Sequence, residues 1–191
     1  MVDSEAIKGG RGRSMANKRK IVCYIAESLD GYIATGDDSL DWLFKVDGDG
    51  DAGYSEFMET IDTVVMGRRT YDWVMEMEKG EYPYEGIKSY VFSRTIPASD
   101  TGDVEFINLA IPVFAETLKN RPGKNIWVIG GSALLAGFLE AGLIDEFIIS
   151  IAPVTIGNGI PLFQKSVLTT EYKLKDVRRY GEFAQLHYEL K

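Results

Sequence analysis

Short apolar runs rich in β-forming residues alternate along this chain with segments of helical periodicity, and this alternation restricts the folds open to it. Strands that alternate with helices predict an α/β domain built on a largely parallel sheet. The last segment instead alternates apolar and polar residues about Tyr180-Gly181, which predicts an antiparallel hairpin and a mixed sheet. We expect strands at residues 21–26, 63–66, 88–92, 104–107, 125–129 and 146–152, and helices around 54–61, 69–77, 112–120 and 132–141.

A long loop, residues 27–50, follows the first predicted strand and is rich in glycine and aspartate. Loops of this length inside a compact domain are usually functional or mobile. The aspartates around residues 47–51 could suggest calcium binding, but the twelfth residue counted from Asp47 is Met58, where an EF-hand loop requires glutamate. We therefore expect no calcium site there.

Composition excludes several classes of protein. The chain of 191 residues has 29 acidic and 21 basic side chains, and the net charge of −8 argues against general nucleic-acid binding. No apolar run approaches the roughly 20 residues that span a bilayer, so no membrane association is expected. One cysteine, Cys23, and one histidine, His187, argue against a disulfide, a metal centre and a Ser-His triad.

The N-terminal residues 1–19 differ in character from the rest. The first 17 contain three closely spaced glycines and no apolar periodicity, which indicates a flexible extension or a remnant of cloning. They also lack the apolar core of a secretory signal, so the cytoplasm is the expected location. We place the domain at residues 20–191.

Three predicted strands end in residues suited to binding phosphate. In open α/β sheets, ligands lie at the carboxyl ends of the strands, where glycine permits close approach and helix N-termini attract anions. Each motif also suits a structural role: a glycine cap, a surface arginine or tight helix packing. None has the Gly-x-Gly-x-x-Gly spacing of a Rossmann domain. The motifs are Gly67-Arg68-Arg69-Thr70, Ser93-Arg94 and Ile129-Gly130-Gly131-Ser132-Ala133.

These motifs support a family resemblance. Residues 65–70 and 126–132 together resemble dihydrofolate reductases, and the fuller pattern resembles the related reductase domain of riboflavin biosynthesis, the RibD C-terminal domain. The resemblance covers roughly residues 20–191. The further motifs that carry it are Ser28-Leu29-Asp30-Gly31-Tyr32-Ile33-Ala34, Ala141-Gly142-Leu143-Ile144-Asp145-Glu146, Ile151-Ala152-Pro153-Val154 and Gly157-Asn158-Gly159-Ile160-Pro161-Leu162-Phe163.

The resemblance implies a dihydrofolate reductase-like three-layer fold that binds NADPH along the carboxyl edge of its sheet. The Gly67–Thr70 motif matches a phosphate site, and Ser93-Arg94 matches the position that faces the adenosine 2′-phosphate. The motif from Ile129 to Ala133 matches the turn under the pyrophosphate. Ala26 and Ile33 match positions that flank the nicotinamide.

On the substrate side, reduction by hydride also needs a proton, which is supplied through a carboxylic acid or an ordered water. Asp51 falls where dihydrofolate reductases keep their pterin-binding acid, and Asp30 and Asp41 are alternatives in the same loop. Three aromatic residues are candidates for stacking on a flat heterocycle: Trp42, Tyr54 and Phe57. Core packing also suits Phe57. Ile87 stands where those enzymes carry an arginine that clamps the folate carboxylate, and isoleucine cannot form that pair.

The sequence thus predicts an NADPH-dependent reductase that acts on a small flat nitrogen heterocycle, of pterin or ribosylaminopyrimidine type. Two alternatives stay open: a genuine dihydrofolate reductase, and a module that binds NADPH without turnover. The resemblance also implies a homodimer, for which the apolar strand at 147–151 and the loop at 157–163 offer a contact surface.

Overall fold

The computed structural model describes residues 18–97, 102–166 and 168–191. Of the extension predicted at 1–19, residues 1–17 lie outside the described residues. Arg19 already belongs to the folded domain, since it is 6% exposed. Its Nε donates to the Lys124 carbonyl oxygen and its Nη2 pairs with Asp62.

Strands and helices follow one another as the sequence predicts. In chain order the elements are β1 (Ile21–Ser28), β2 (Tyr32–Ala34), α1 (Tyr54–Met58), β3 (Ile61–Gly67), α2 (Arg68–Met77), β4 (Lys88–Phe92), β5 (Val104–Ile107), α3 (Ile111–Lys119), β6 (Asn125–Gly130), α4 (Ser132–Glu140), β7 (Glu146–Ala152), β8 (Ile160–Pro161), β9 (Tyr172–Tyr180) and β10 (Phe183–Leu190).

One sheet of eight strands organises the molecule, in the order β5-β4-β3-β6-β1-β7-β10-β9. The neighbours from β5 to β7 pair in parallel, whereas β10 pairs antiparallel with both β7 and β9. The mixed, mostly parallel sheet and its C-terminal hairpin are therefore confirmed. All parallel strands end at one edge, which we call the carboxyl edge.

Helices cover the sheet on both faces, because successive strand side chains point in opposite directions. On β3, Val65 joins the core cluster that contains residues of α3 and α4. Its neighbours Val64 and Met66 join the second cluster, which contains Phe57 of α1. Two apolar faces and their helices form the three predicted layers.

The structure differs from the sequence prediction at two places. Ile61, predicted to lie on a helical face with Tyr54, is instead the first residue of β3 and is 3% exposed. The loop 27–50 is interrupted by β2, which pairs antiparallel with β8 in a separate two-stranded sheet. Strands of two and three residues are too short to show periodicity, which is why sequence patterns miss them.

Candidate active site

The glycines that end β3 and β6 bring two strand ends into contact at the carboxyl edge. A Cβ atom added at Gly67 would lie 3.8 Å from the Gly131 nitrogen, and one added at Gly131 would lie 3.3 Å from Thr70 Oγ1. Gly130 has φ of 126°, a conformation that residues with side chains rarely adopt. The first and third predicted phosphate motifs are therefore neighbours.

Two helices begin at this contact. Gly67 precedes α2 and Gly131 precedes α4, both with extended backbone, and no side chain in the described part of the chain caps either helix. Neither helix has an acidic residue in its first turn. Because the first N–H groups of a helix carry a partial positive charge, the paired helix starts form a cradle suited to an anion.

Both arginines of the first motif pair with carboxylates. Arg68 Nε donates to the two oxygens of Asp72 at 2.7 and 2.9 Å, and its guanidinium lies 5.4 Å from the centre of the Phe106 ring. Arg69 donates from Nε and Nη2 to Asp38 Oδ2, at 2.9 and 2.6 Å. These are exposed ion pairs, which contribute little stability and exchange readily. The sequence analysis did not identify Asp38, since no local pattern links residues so far apart.

The second motif lies at the end of β4, the strand next to β3. Ser93 Oγ donates to the Thr95 carbonyl oxygen at 2.6 Å and accepts the Thr95 N–H, so this hydroxyl closes a local turn. Arg94 is exposed. The guanidinium at this edge is accessible to a ligand, whereas the Ser93 hydroxyl is engaged by its own turn.

The positions predicted to flank a nicotinamide lie on the other side of β6. Ala26 is on β1, which pairs with β6, and Ile33 is on β2; both are half-buried. Ile129 is half-buried on β6 itself. In the α4 start, Ser132 is buried and its Oγ accepts a hydrogen bond from Gln164, whereas Ala133 is exposed.

Asp30 and Asp51, the two predicted catalytic residues, both accept hydrogen bonds from backbone N–H groups. Asp30 accepts hydrogen bonds from the Ser28 hydroxyl at 2.6 Å and from the backbone N–H of Gly157 at 2.7 Å. These donors, the Ser28 hydroxyl first, lower the pKa of Asp30. The carboxylate therefore joins the end of β1 to the loop after β7.

Asp51 makes similar contacts at the start of α1. Its carboxylate accepts the backbone N–H groups of Gly53 at 3.0 Å and Ser55 at 2.8 Å. Hydrogen bonding from Ser55, and then from Gly53, lowers the pKa of Asp51. A carboxylic acid with a lowered pKa is a poor proton donor near neutral pH. The alternative Asp41 is exposed in the loop.

Of the three aromatic candidates, Tyr54 alone presents a substantial surface. It is 37% exposed and lies 6.1 Å, between ring centres, from Trp127. Phe57 is 6% exposed and stacks on Tyr24 at 4.4 Å, so it belongs to the core. Trp42 is 9% exposed, and its Nε1 has no hydrogen-bond partner among the described residues.

Trp42 packs against Phe183 and Ala152, whose side chains cover it. It stabilises the loop at the carboxyl edge rather than offering a free face for stacking, which corrects the prediction for this residue. For Phe57 the structure supports the other interpretation, core packing.

The sequence analysis missed Tyr24. Alternation along β1 places Tyr24 on the α1 face, where its hydroxyl donates to the Ala52 carbonyl oxygen at 3.1 Å. Burial raises the pKa of Tyr24 to about 12.

Ile87 lies on the same face of the sheet as Tyr24, half-buried against the cluster around Trp127. The position where the resemblance implies a folate clamp is therefore occupied by an apolar side chain packed on this cluster.

Comparison with curated proteins finds relatives along nearly the whole chain. YwjB of Bacillus subtilis, an uncharacterized protein, is 44% identical over 171 residues, which cover 90% of this chain and 98% of YwjB. The riboflavin biosynthesis protein RibD of Escherichia coli is 31% identical over 86 residues, which cover 42% of this chain and 23% of RibD.

Solved structures share the fold. A Shewanella sp. PV-4 protein provisionally assigned to riboflavin biosynthesis matches with a TM-score of 0.80 and 31% identity, over 90% of this chain and 99% of its own. A Thermotoga maritima diaminohydroxyphosphoribosylaminopyrimidine deaminase/5-amino-6-(5-phosphoribosylamino)uracil reductase matches at 0.67 and 16%, over 91% of this chain and 57% of its own. Enterococcus faecalis dihydrofolate reductase, solved with NADP(H), matches at 0.62 and 15%, over 90% and 96%.

No helix in the described ranges is long and apolar enough to cross a membrane, and no group of metal-binding side chains occurs among the same residues. A family model for the RibD C-terminal domain matches residues 19–186, which span the sheet, both helix layers and nearly all of the terminal hairpin. The chain therefore belongs to the RibD C-terminal domain family and has the dihydrofolate reductase-like fold.

Proposed function

We propose that this protein is an NADPH-dependent reductase of a flat nitrogen heterocycle, of pterin or ribosylaminopyrimidine type. The observation that carries the proposal is the cradle at the carboxyl edge, where glycine contacts join the uncapped starts of α2 and α4. This arrangement suits a dinucleotide pyrophosphate. Family membership supports the reductase class.

Different residues at the carboxyl edge would bind different parts of the cofactor. The first N–H groups of α2 and α4 and the Arg69 guanidinium would hold the pyrophosphate, and Arg94 at the end of β4 would face the 2′-phosphate. Ala26, Ile33 and Ile129 would form the half-buried wall beside the nicotinamide. When bound, the cofactor supplies the hydride, and the protein supplies position and charge.

The heterocycle would lie on the α1 face of β1 and β6, beside the exposed ring of Tyr54. Because hydrogen bonding lowers the pKa of both Asp30 and Asp51, we assign delivery of the proton to a water molecule rather than to either carboxylic acid. The half-buried Ile87 disfavours the alternative of a genuine dihydrofolate reductase, since isoleucine cannot form the bidentate pair with a folate carboxylate that arginine forms.

Two measurements test the proposal. Calorimetric titration with NADPH and NADH should show tighter binding of NADPH. Loss of reduced-nicotinamide absorbance should then be followed with a panel of heterocycles: dihydrofolate, a dihydropterin without the glutamate tail, and a ribosylaminopyrimidine. We expect turnover with at least one tail-free compound and a high KM for dihydrofolate.

The outcomes separate the alternatives. Binding without turnover of any heterocycle would favour a non-catalytic NADPH-binding module. A low micromolar KM for dihydrofolate would favour a genuine dihydrofolate reductase. No binding of either nucleotide would contradict the proposal as a whole.

A further inference from the structure

One ion pair joins the start of α2 to the turn after β2. Arg69 lies in the first turn of α2, and both Nε and Nη2 donate to a single oxygen of Asp38. Asp38 belongs to the turn that directly follows β2. The side chain of Arg69 is 72% exposed and that of Asp38 is 32% exposed, so solvent can reach the pair.

The hydrogen bonds that form the turn around Asp38 do not involve the Asp38 carboxylate. Thr35 and Ser39 are joined by backbone hydrogen bonding at 3.2 Å, and the Asp38 N–H donates to the Thr35 carbonyl oxygen at 3.1 Å. The neighbouring Asp37 accepts the Thr35 hydroxyl at 2.5 Å. The Asp37 carboxylate therefore supports the turn, whereas the Asp38 carboxylate accepts hydrogen bonds from Arg69.

The position of Arg69 explains why it pairs with a carboxylate. The start of a helix is its positive end, so a guanidinium there is electrostatically unfavourable without a counter-charge. A cofactor phosphate carries at least as much charge as a carboxylate and also meets the N–H groups of the helix start. Exchange of Asp38 for phosphate therefore keeps Arg69 neutralised and adds the contacts of the cradle.

We propose that Asp38 is the counter-ion of the cofactor site: it holds Arg69 in the empty protein and gives up the guanidinium to a cofactor phosphate. This inference rests on the proposed function, because it requires a phosphate to bind at the start of α2. The exchange also frees the turn at 35–39 from its contact with α2. This turn directly follows β2, the strand that carries Ile33. The pair of Arg68 with Asp72 has no such effect, since both residues belong to α2 and move together.

Calorimetric titration of NADP+ into the full chain at low ionic strength tests the exchange. Asp38→Asn removes the competing charge, so it should tighten binding about two- to fivefold, which is the factor that one exposed ion pair supplies. Arg69→Ala should weaken binding, and adding Asp38→Asn to Arg69→Ala should restore nothing. The gain from Asp38→Asn should shrink as salt is added, because both groups are exposed.

Asp37→Asn is the matched control, since it removes the same charge one residue away without touching Arg69. It should leave the affinity for NADP+ unchanged. Equal tightening by both variants would show a general field effect and overturn the counter-ion role, as would unchanged or weaker binding in Asp38→Asn. If NADP+ binds none of the proteins, the proposed function itself fails; binding that does not respond to Asp38 rejects the exchange alone.

Discussion

Glu146 is a nearly buried carboxylate that contacts two lysines and a histidine from distant parts of the chain. Its side chain is 8% exposed. Oε1 accepts hydrogen bonds from Lys20 at 2.5 Å and Lys175 at 3.0 Å, and Oε2 lies 3.0 Å from His187 Nε2. Burial by itself would raise the pKa of Glu146, but the hydrogen bonds from these partners outweigh it and lower the pKa below 4.5.

We expect Glu146→Gln to reduce the free energy of unfolding by about 2–3 kcal/mol near neutral pH, because it leaves Lys20 and Lys175 with only the more exposed Glu189 as a charged partner. A carboxylate with a lowered pKa stabilises the fold above its ordinary pKa and loses that contribution as the pH falls through the lowered value. The difference between wild type and variant in urea unfolding should therefore shrink below about pH 4.5. A difference that persists in acid would contradict the role of the charge. Glu189→Gln provides the comparison: Glu189 pairs with the same two lysines, but its side chain is 40% exposed, so its loss should cost less.

Arg94 determines the preference for NADPH in our proposal. Arg94→Ala should weaken NADPH about tenfold, the effect of losing one charge-assisted hydrogen bond, and should hardly change NADH. Calorimetric titration with both nucleotides measures the two losses. Arg121→Ala is a matched control, since Arg121 is exposed just before β6 and so lies away from the carboxyl edge. Equal losses for the two nucleotides in Arg94→Ala would reject the assignment.

Asp51 lies at the start of α1 and is held there by backbone N–H groups. Asparagine keeps an oxygen that can accept from Gly53 or Ser55. We therefore expect Asp51→Asn to retain turnover within about threefold, whereas loss of a general acid usually costs 10²–10⁴-fold. Steady-state kinetics on the heterocycle that proves active makes the comparison. A hundredfold fall in kcat with unchanged NADPH binding would return the catalytic role to Asp51.

The turn of the C-terminal hairpin braces the long loop at the carboxyl edge. Register pairs Tyr180 with Phe183, which leaves Gly181 and Glu182 as a two-residue turn. Glu182 donates its N–H to the Asp47 carbonyl oxygen at 2.9 Å. Phe183, the first residue after the turn, packs on Trp42. Through these contacts the hairpin positions the segment that leads to α1.

Gly181→Ala should therefore lower stability by about 2 kcal/mol or more. Gly181 has φ of 57°, which is unfavourable for alanine, and an added Cβ would overlap the Asp47 carbonyl oxygen. Thermal unfolding measures the loss, and hydrogen exchange should locate it in residues 42–53. Gly36→Ala is the control, since Gly36 has an ordinary φ and open space around it. Equal effects of the two substitutions would mean that the turn does not brace the loop.

An apolar groove lies between α4 and the outer half of the sheet. It has a volume of about 670 Å³, and strand residues such as Phe147, Ile149 and Leu186 form its floor. Two apolar side chains of its rim are largely exposed: Phe163 at 49% and Leu168 at 56%. Apolar surface of this kind marks an interaction site in many proteins.

We expect a second copy of the chain to cover this groove, in keeping with the homodimer implied by the family resemblance. Light scattering at micromolar concentration should then give twice the chain mass of 21.3 kDa. Phe163→Asp should shift the protein towards the monomer, whereas Val113→Asp, an equally exposed position on α3, should not. A wild-type mass near 21.3 kDa, the mass of one chain, would contradict the predicted dimer.

The order of strands and helices could be predicted from the sequence alone. Lys88–Phe92, Val104–Ile107 and Glu146–Ala152 form strands with the predicted boundaries. Their apolar periodicity and β-forming residues are local properties, which the sequence shows directly. The role of the glycines that end β3 and β6 could also be predicted from the sequence. A strand that turns into a helix at a ligand site needs residues without side chains.

Tertiary structure decided which side chains meet. Arg69 and Asp38 are 31 residues apart, Lys20 and Glu146 are 126 apart, and Asp30 reaches Gly157 across 127 residues. Sheet order brings these segments together, and no local periodicity encodes it. For this reason the sequence alone predicted that glycine motifs end β3 and β6, but it did not show the contacts of Asp30, Asp51 and Trp42. Only the folded chain shows that backbone N–H groups and a neighbouring phenylalanine already engage them.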